Sequence, residues 1–99
     1  MEALTMEKFE IIYETAEIDM KAENIIDAFM ENGVQNGYYK IKGEYPTIEE
    51  ALTALKKYRC STSISGGIRT AYMYYVQESF LNEDDEWEDA DGLEFAEME

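Results

Sequence analysis

The stretch that decides the fold is Ile-Arg-Thr-Ala-Tyr-Met-Tyr-Tyr-Val-Gln-Glu-Ser-Phe-Leu, residues 68–81. It has the strongest strand composition in the chain, because β-branched and aromatic residues pack well on a pleated sheet. Between Tyr72 and Val76 it is apolar on both faces. A strand of this kind lies in the middle of a sheet or is covered on both sides. The pattern therefore predicts that residues 68–81 form a central strand.

Three other segments read as strands. Residues 6–15 alternate in polarity, which is typical of a half-buried strand; their inward side comprises Phe9, Ile11 and Tyr13. A second strand is predicted at residues 38–42; its inward side comprises Tyr39 and Ile41. The turn signal Asp91-Gly92 and the alternation that follows it predict a short last strand at residues 93–98, folded back on its predecessor.

Helical periodicity appears in two places. Residues 21–31 follow Asp19, a candidate N-cap, and precede Asn32-Gly33, a good C-terminal stop. Their apolar stripe comprises Ala22, Ile25, Ile26, Phe29 and Met30. The second helix begins after Pro46 with a capping box, in which Thr47 accepts from the amide of Glu50 and the Glu50 side chain returns to the amide of Thr47. Its buried face comprises Ile48, Ala51, Leu52 and Leu55. Residues 60–67 have the composition of a loop.

The order of elements is therefore strand, helix, strand, helix, strand, strand. It predicts an α+β fold, with a small mixed or antiparallel β-sheet and two helices packed on one of its faces. At 99 residues the chain fits a single domain, residues 1–99. The acidic segment at residues 83–91 is the candidate for mobility.

Charge is the other dominant feature. The chain carries 23 acidic and eight basic side chains and no histidine, for a formal charge of −15. Residues 1–31 hold nine acids and two bases, residues 32–77 three acids and six bases, and residues 78–99 eleven acids and no base. Because its negative charge would be repelled by phosphates, we do not expect the protein to bind nucleic acid or anionic lipid directly. We expect the bases of the middle segment to pair with the acidic ends; they are Lys40, Lys42, Lys56, Lys57, Arg59 and Arg69.

The residues present disfavour catalysis and metal binding. Without histidine and with one cysteine, the common acid–base and nucleophile pairs lack a member. The spacing from Cys60 to Arg69 is too long for the loop of cysteine phosphatases, and residues 65–70 lack the lysine of a Walker A motif. An EF-hand loop centred on Gly92 would need carboxylates where Trp87 and Met98 stand. We expect no enzymatic activity, no cofactor and no metal site.

The candidate site is instead a set of acidic side chains that would bind a partner. Glu23, Asp27 and Glu31 stand four residues apart, which on a helix places them on one face. The predicted partner-binding residues of the C-terminal segment are Glu83, Asp84, Asp85, Glu86, Trp87, Glu88, Asp89 and Asp91. Such carboxylates would speed association with a basic partner and make its rate sensitive to salt. An aromatic anchor such as Trp87 or Tyr38 would supply specificity.

In size, charge and architecture the chain resembles the small acidic anti-CRISPR and anti-restriction proteins of phages and conjugative elements, many of which are DNA mimics. The resemblance rests on no shared motif. It implies that Glu23, Asp27, Glu31 and the acids from Glu83 to Asp91 stand in for phosphates. They would face the arginines and lysines of a CRISPR nuclease such as Cas9.

Two functions follow from these patterns. In the first, the chain is a non-catalytic protein that binds a basic surface of a nucleic-acid-binding protein and inhibits or regulates it. In the second, it is an assembly protein of a mobile element that self-associates or pairs through a sheet edge, at residues 70–76 or 93–98. The single cysteine, the absence of a long apolar stretch and an N-terminus unlike a secretory signal lead us to expect a cytoplasmic protein.

Overall fold

A computed structural model describes residues 6–31 and 39–99, and for Asp91 and Gly92 the backbone only. Its elements in chain order are β1 Glu7–Ile18, α1 Ile25–Glu31, β2 Tyr39–Tyr45, α2 Ile48–Leu55, β3 Ser61–Ser65, β4 Ile68–Leu81 and β5 Trp87–Phe95. The strands form one antiparallel sheet. The predicted α+β class, with two helices and an antiparallel sheet, is confirmed.

The central position predicted for residues 68–81 is confirmed. Strand β4 pairs with β1 along almost its whole length, from Arg69 to Phe80. Its other edge is shared, because β3 pairs with residues 68–72 and β5 with residues 75–81. A parallel bridge between Cys60 and Met98 closes the gap between β3 and β5. Strand β2 continues the sheet on the far side of β1.

The two helices lie on opposite faces of the sheet, which corrects the expectation that both pack on one face. Neighbouring residues of a strand point to opposite faces, and α1 and α2 contact neighbouring residues of β4. The Phe29 ring of α1 lies 6.3 Å from that of Tyr75, whereas Ile48 of α2 lines a groove with Val76. We call these sides the α1 face and the α2 face.

Coverage on both sides also changes the character of β1, which is not half-buried as predicted. Ile11 is 0% exposed and Ile12 is 3% exposed, although they point to opposite faces. The strand also runs three residues further than predicted, to Ile18. Charged residues of β1 that alternation assigned to solvent are buried as well, with Glu10 and Glu14 each 8% exposed.

Residues 61–65, predicted as part of a loop, form strand β3 instead. A two-residue turn joins β3 to β4, since Ser65 pairs with Ile68. Both turn residues have positive φ, 59° at Gly66 and 79° at Gly67. This is the backbone of a type I′ hairpin, which matches the twist of the strands and strongly favours glycine. The serine-rich composition of residues 61–65 indicates a loop, whereas the turn at Gly66 and Gly67 makes them one strand of a hairpin.

Helix α1 is shorter than predicted and begins at Ile25. Its N-cap is Asn24, whose side chain accepts a hydrogen bond from the Asp27 amide at 3.0 Å. Asp19, the predicted N-cap, accepts instead from the Lys21 amide at 2.7 Å, in a turn before the helix. Phe29 is buried, but Met30 of the predicted stripe is 53% exposed. The predicted stop at Asn32-Gly33 lies outside the described residues.

Strand β2 is an exposed edge strand, contrary to the inward orientation predicted for two of its residues. Tyr39 is 58% exposed and Ile41 is 45% exposed. The strand ends at Tyr45, and its register against β1 shifts between Ile11 and Ile12. Helix α2 and its capping box are confirmed, with the Glu50 amide donating to Thr47 Oγ1 at 3.2 Å. One detail differs, because the Glu50 carboxylate accepts from the Thr47 hydroxyl at 3.1 Å.

The last strand is longer than predicted and begins at Trp87. Asp91-Gly92, predicted as a turn, lies inside β5 where its register against β4 shifts between Gln77 and Ser79. A glycine within a strand is typical of such a bulge. The residues that turn the chain are Asn82 to Glu86. No helix of the described ranges is long and apolar enough to cross a membrane.

Candidate functional site

The tip of the β4–β5 hairpin presents four consecutive acidic side chains, Glu83 to Glu86, all exposed. Asn82 organises the turn: its side-chain oxygen accepts from the Asp84 amide at 2.8 Å and from the Glu86 amide at 3.0 Å. Its own amide donates to the Glu86 carbonyl at 2.8 Å. Asp85 has a φ of 60°, a left-handed conformation that aspartate tolerates better than most residues. Backbone contacts thus hold the turn, and the carboxylates stay available to a partner.

Trp87, the predicted anchor, stands beside this tip and is 42% exposed. The Lys8 ammonium lies 4.3 Å from the centre of its ring, within the range of a cation–π contact. Lys8 also lies 3.9 Å from a Glu10 oxygen and 3.8 Å from a Glu44 oxygen. One lysine therefore fixes one side of the indole and offsets a pair of carboxylates that face each other across β1 and β2.

The remaining acids of the hairpin point to both faces of the sheet. Glu88 pairs with Phe80 and Asp89 with Ser79, so their side chains alternate. The Ser79 hydroxyl donates to Asp89 at 3.1 Å, on the α1 face. For Asp91 the structure describes the backbone within β5 but not the side chain. Mobility of residues 83–91 stays a prediction.

The three acids predicted for the first helix are brought together, but not as a helical stripe. Glu23 precedes α1, while Asp27 lies in its first turn and Glu31 ends it. All three line one shallow depression together with Asp19 and Lys21. Within residues 6–31 and 39–99, no hydrogen bond or ion pair joins this group to the hairpin acids. They form two separate acidic surfaces.

The basic residues of the middle segment do not neutralise these surfaces in the part of the chain that the structure describes. There the ion pairs are those of Lys8. Arg69 donates to the Ala22 carbonyl at 2.9 Å, and Arg59 to the Lys56 and Tyr58 carbonyls at 2.8 Å each. The expected pairing of the middle with the acidic ends is therefore not found among the described residues.

Sequence reasoning missed a buried carboxylate–phenol pair on the α1 face. The Tyr75 hydroxyl donates to Glu14 at 2.6 Å, and the two residues are 7% and 8% exposed. Burial, the hydrogen bond to Glu14 and its negative charge raise the pKa of Tyr75 far above its ordinary value. The pair ties β1 to β4 beneath α1. The only signal was an acidic residue at an alternating position of β1, which ordinarily indicates solvent.

Cys60 has the contacts of a structural residue. It is 0% exposed, and its sulfur lies 3.3 Å from the Tyr74 amide, which donates to it. Burial raises the pKa of the thiol, whereas a nucleophile needs the thiolate. Among the described residues, no group of three or more acidic or cysteine side chains could hold a metal ion.

Raised pKa values of buried groups predict loss of stability in alkali. Tyr75 and Cys60 hold their protons more tightly when folded than when unfolded. Their contribution is complete below the ordinary pKa of each group, about 8.5 for cysteine and about 10 for tyrosine, and is lost as the pH rises beyond it. We expect the urea midpoint to fall progressively above about pH 9. Tyr75→Phe should flatten the fall above about pH 10, and an unchanged slope in that variant would contradict the assignment.

Comparison with protein families, with curated proteins and with solved structures found no match to this chain.

Proposed function

We propose that this is a non-catalytic acidic protein that binds a basic surface of a nucleic-acid-binding protein, a CRISPR nuclease or a related enzyme, and inhibits or regulates it. The observation that carries the proposal is the hairpin tip. Four exposed acidic side chains stand in a row on a turn held by Asn82, next to a half-exposed tryptophan. A charge cluster on a turn that hydrogen bonds already hold in shape loses less conformational entropy on binding, which favours affinity.

The density of charge along the hairpin suits the imitation of a nucleic-acid strand. Four acidic residues occupy consecutive positions at the tip, Glu83 to Glu86, and DNA carries one phosphate per roughly 3.4 Å of axial rise along each strand. Glu88 and Asp89 follow the tip within β5 and point to opposite faces of the sheet. Arginines and lysines placed to contact phosphates would find a run of carboxylates at the tip. Their encounter would be accelerated by opposite charge and slowed by salt.

Capture from a bacterial lysate tests the proposal. The tagged protein should retain a nuclease or another DNA-binding protein, release it at moderate salt and lose it when duplex DNA is added. The captured enzyme should then be inhibited by the protein in a DNA-cleavage or DNA-binding assay. Recovery of a partner indifferent to both salt and DNA would contradict the proposal.

A second function, assembly through a sheet edge, is favoured by one observation. Strand β2 has a free edge within the described part of the chain and exposes Tyr39 and Ile41. Residues 70–76, one of the two segments expected to pair with a partner, are unavailable because both edges of β4 are occupied. Self-association through backbone hydrogen bonds would be far less sensitive to salt. Recovery of the protein alone, or of its own oligomers at any salt concentration, would support this function instead.

A further inference from the structure

An apolar groove with an acidic rim opens on the α2 face, at the end of the sheet that carries the β4–β5 hairpin. Its volume is about 480 Å³. The apolar walls are Phe9, Ile48 and Val76, and the rim is formed by Glu7, Glu78 and Glu94. None of the three glutamates belongs to the acidic surfaces predicted from the sequence.

Sheet register explains why the glutamates surround the apolar walls. Glu78 stands directly opposite Phe9, and Glu94 stands directly opposite Val76. Glu7 precedes Phe9 by two residues and shares its face. Diagonal neighbours on adjacent strands lie roughly 7–8 Å apart. Glu78 is therefore a diagonal neighbour of both Glu7 and Glu94 and is close enough to repel each of them.

No cation of the described ranges offsets this rim. Lys8 points to the α1 face, where it pairs with Glu10 and Glu44. The free protein therefore bears the mutual repulsion of the rim, which an incoming cation would relieve. Stability of the free protein and affinity for a basic partner should then respond in opposite directions to neutralisation of the rim.

We propose that this groove receives an apolar side chain flanked by arginine or lysine in a basic segment of the protein partner. The inference rests on the proposed function and adds a second contact surface to it. The apolar walls bury the central side chain and the aliphatic stems of its neighbours, while the rim pairs with their charged ends. The same rim repels nucleic acid and acidic peptides. It therefore excludes the wrong ligands as well as attracting basic ones.

Short capped peptides test the groove without knowledge of the partner. One alternates arginine with leucine, a second replaces leucine by serine, and a third replaces arginine by glutamate. Methyl NMR spectra of the protein should show saturable shifts at Ile48 and Val76 with the first peptide only. In the variant Glu7→Gln, Glu78→Gln, Glu94→Gln, affinity for the first peptide should fall by about tenfold, while the melting temperature stays the same or rises.

A variant with the same net charge provides the control: Glu17→Gln, Glu97→Gln, Glu99→Gln changes three exposed acids outside the groove. It should bind the arginine–leucine peptide within about twofold of wild type. If both variants lost affinity equally, or if the serine peptide caused equal NMR shifts, binding would depend on net charge alone. Either result would contradict the proposal that the groove is a binding site. Suppose that lysate capture retains a partner that added DNA displaces. If that partner binds the rim variant as well as it binds wild type, the groove is not a binding site, and the proposed function stands. If no such partner is captured, the proposed function fails.

Discussion

Changing Asp84, Asp85 and Glu86 to their amides together should weaken binding to the basic partner by about threefold to a hundredfold at physiological salt. Each exposed charge pair contributes roughly 0.2–1 kcal/mol, and about 1.4 kcal/mol corresponds to a factor of ten in affinity. The loss should lie mainly in the association rate and shrink at high salt, because the charges act by steering. Surface plasmon resonance at two salt concentrations measures both quantities.

The fold should survive this change, which makes the experiment interpretable. The turn is held by Asn82 and by backbone groups, and asparagine at residue 85 tolerates the left-handed conformation as aspartate does. Removal of three neighbouring like charges should leave the melting temperature unchanged or raise it. The control variant Glu17→Gln, Glu97→Gln, Glu99→Gln carries the same net charge. If its loss of affinity equalled that of the tip variant, binding would depend on total charge and not on the hairpin.

Elements whose local signals agree with their surroundings were predictable from the sequence. Strand β4 is apolar on both faces because both of its faces are covered, and its composition alone indicates this. Helix α2 carries its start in the residues Thr47 and Glu50, which contact each other across one turn. In both cases the decisive interactions are local or follow directly from periodicity.

Elements whose state depends on distant partners were not predictable. Residues 61–65 are polar enough for a loop and become a strand because the turn at Gly66 and Gly67 brings them against β4. Tyr39 and Ile41 are apolar and yet exposed, because β2 lies at the edge of the sheet. The placement of α1 and α2 on opposite faces depends on the whole topology and leaves no signal in either helix.

The candidate site divides in the same way. The exposed acids of the hairpin were found from composition, since a run of like charge is visible without a structure. The glutamate rim of the groove was not, because Glu7, Glu78 and Glu94 come from three strands and meet only through register. The buried pair of Glu14 and Tyr75 joins residues 61 positions apart, beyond the range of any periodicity.

The buried carboxylate of Glu14 should make the fold depend on a single phenol group. Tyr75→Phe removes the hydroxyl that donates to it at 2.6 Å and leaves the carboxylate of Glu14, a residue only 8% exposed, without that donor. A hydrogen bond to a charged group contributes about 1.5–3 kcal/mol, and an abandoned buried charge costs at least as much. We expect the free energy of unfolding at neutral pH to fall by about 2–3 kcal/mol, measured by urea denaturation.

The matched control lies one residue away on the opposite face. Tyr74 stacks on Tyr58 at 4.6 Å between ring centres, and within the described part of the chain its hydroxyl makes no hydrogen bond. Tyr74→Phe should therefore change stability by less than about 0.5 kcal/mol. Glu14→Gln replaces the charge by a neutral acceptor, so adding it to Tyr75→Phe should restore part of the lost stability. Additive losses in this double-mutant cycle would show that the two residues act independently and that the phenol does not support the carboxylate.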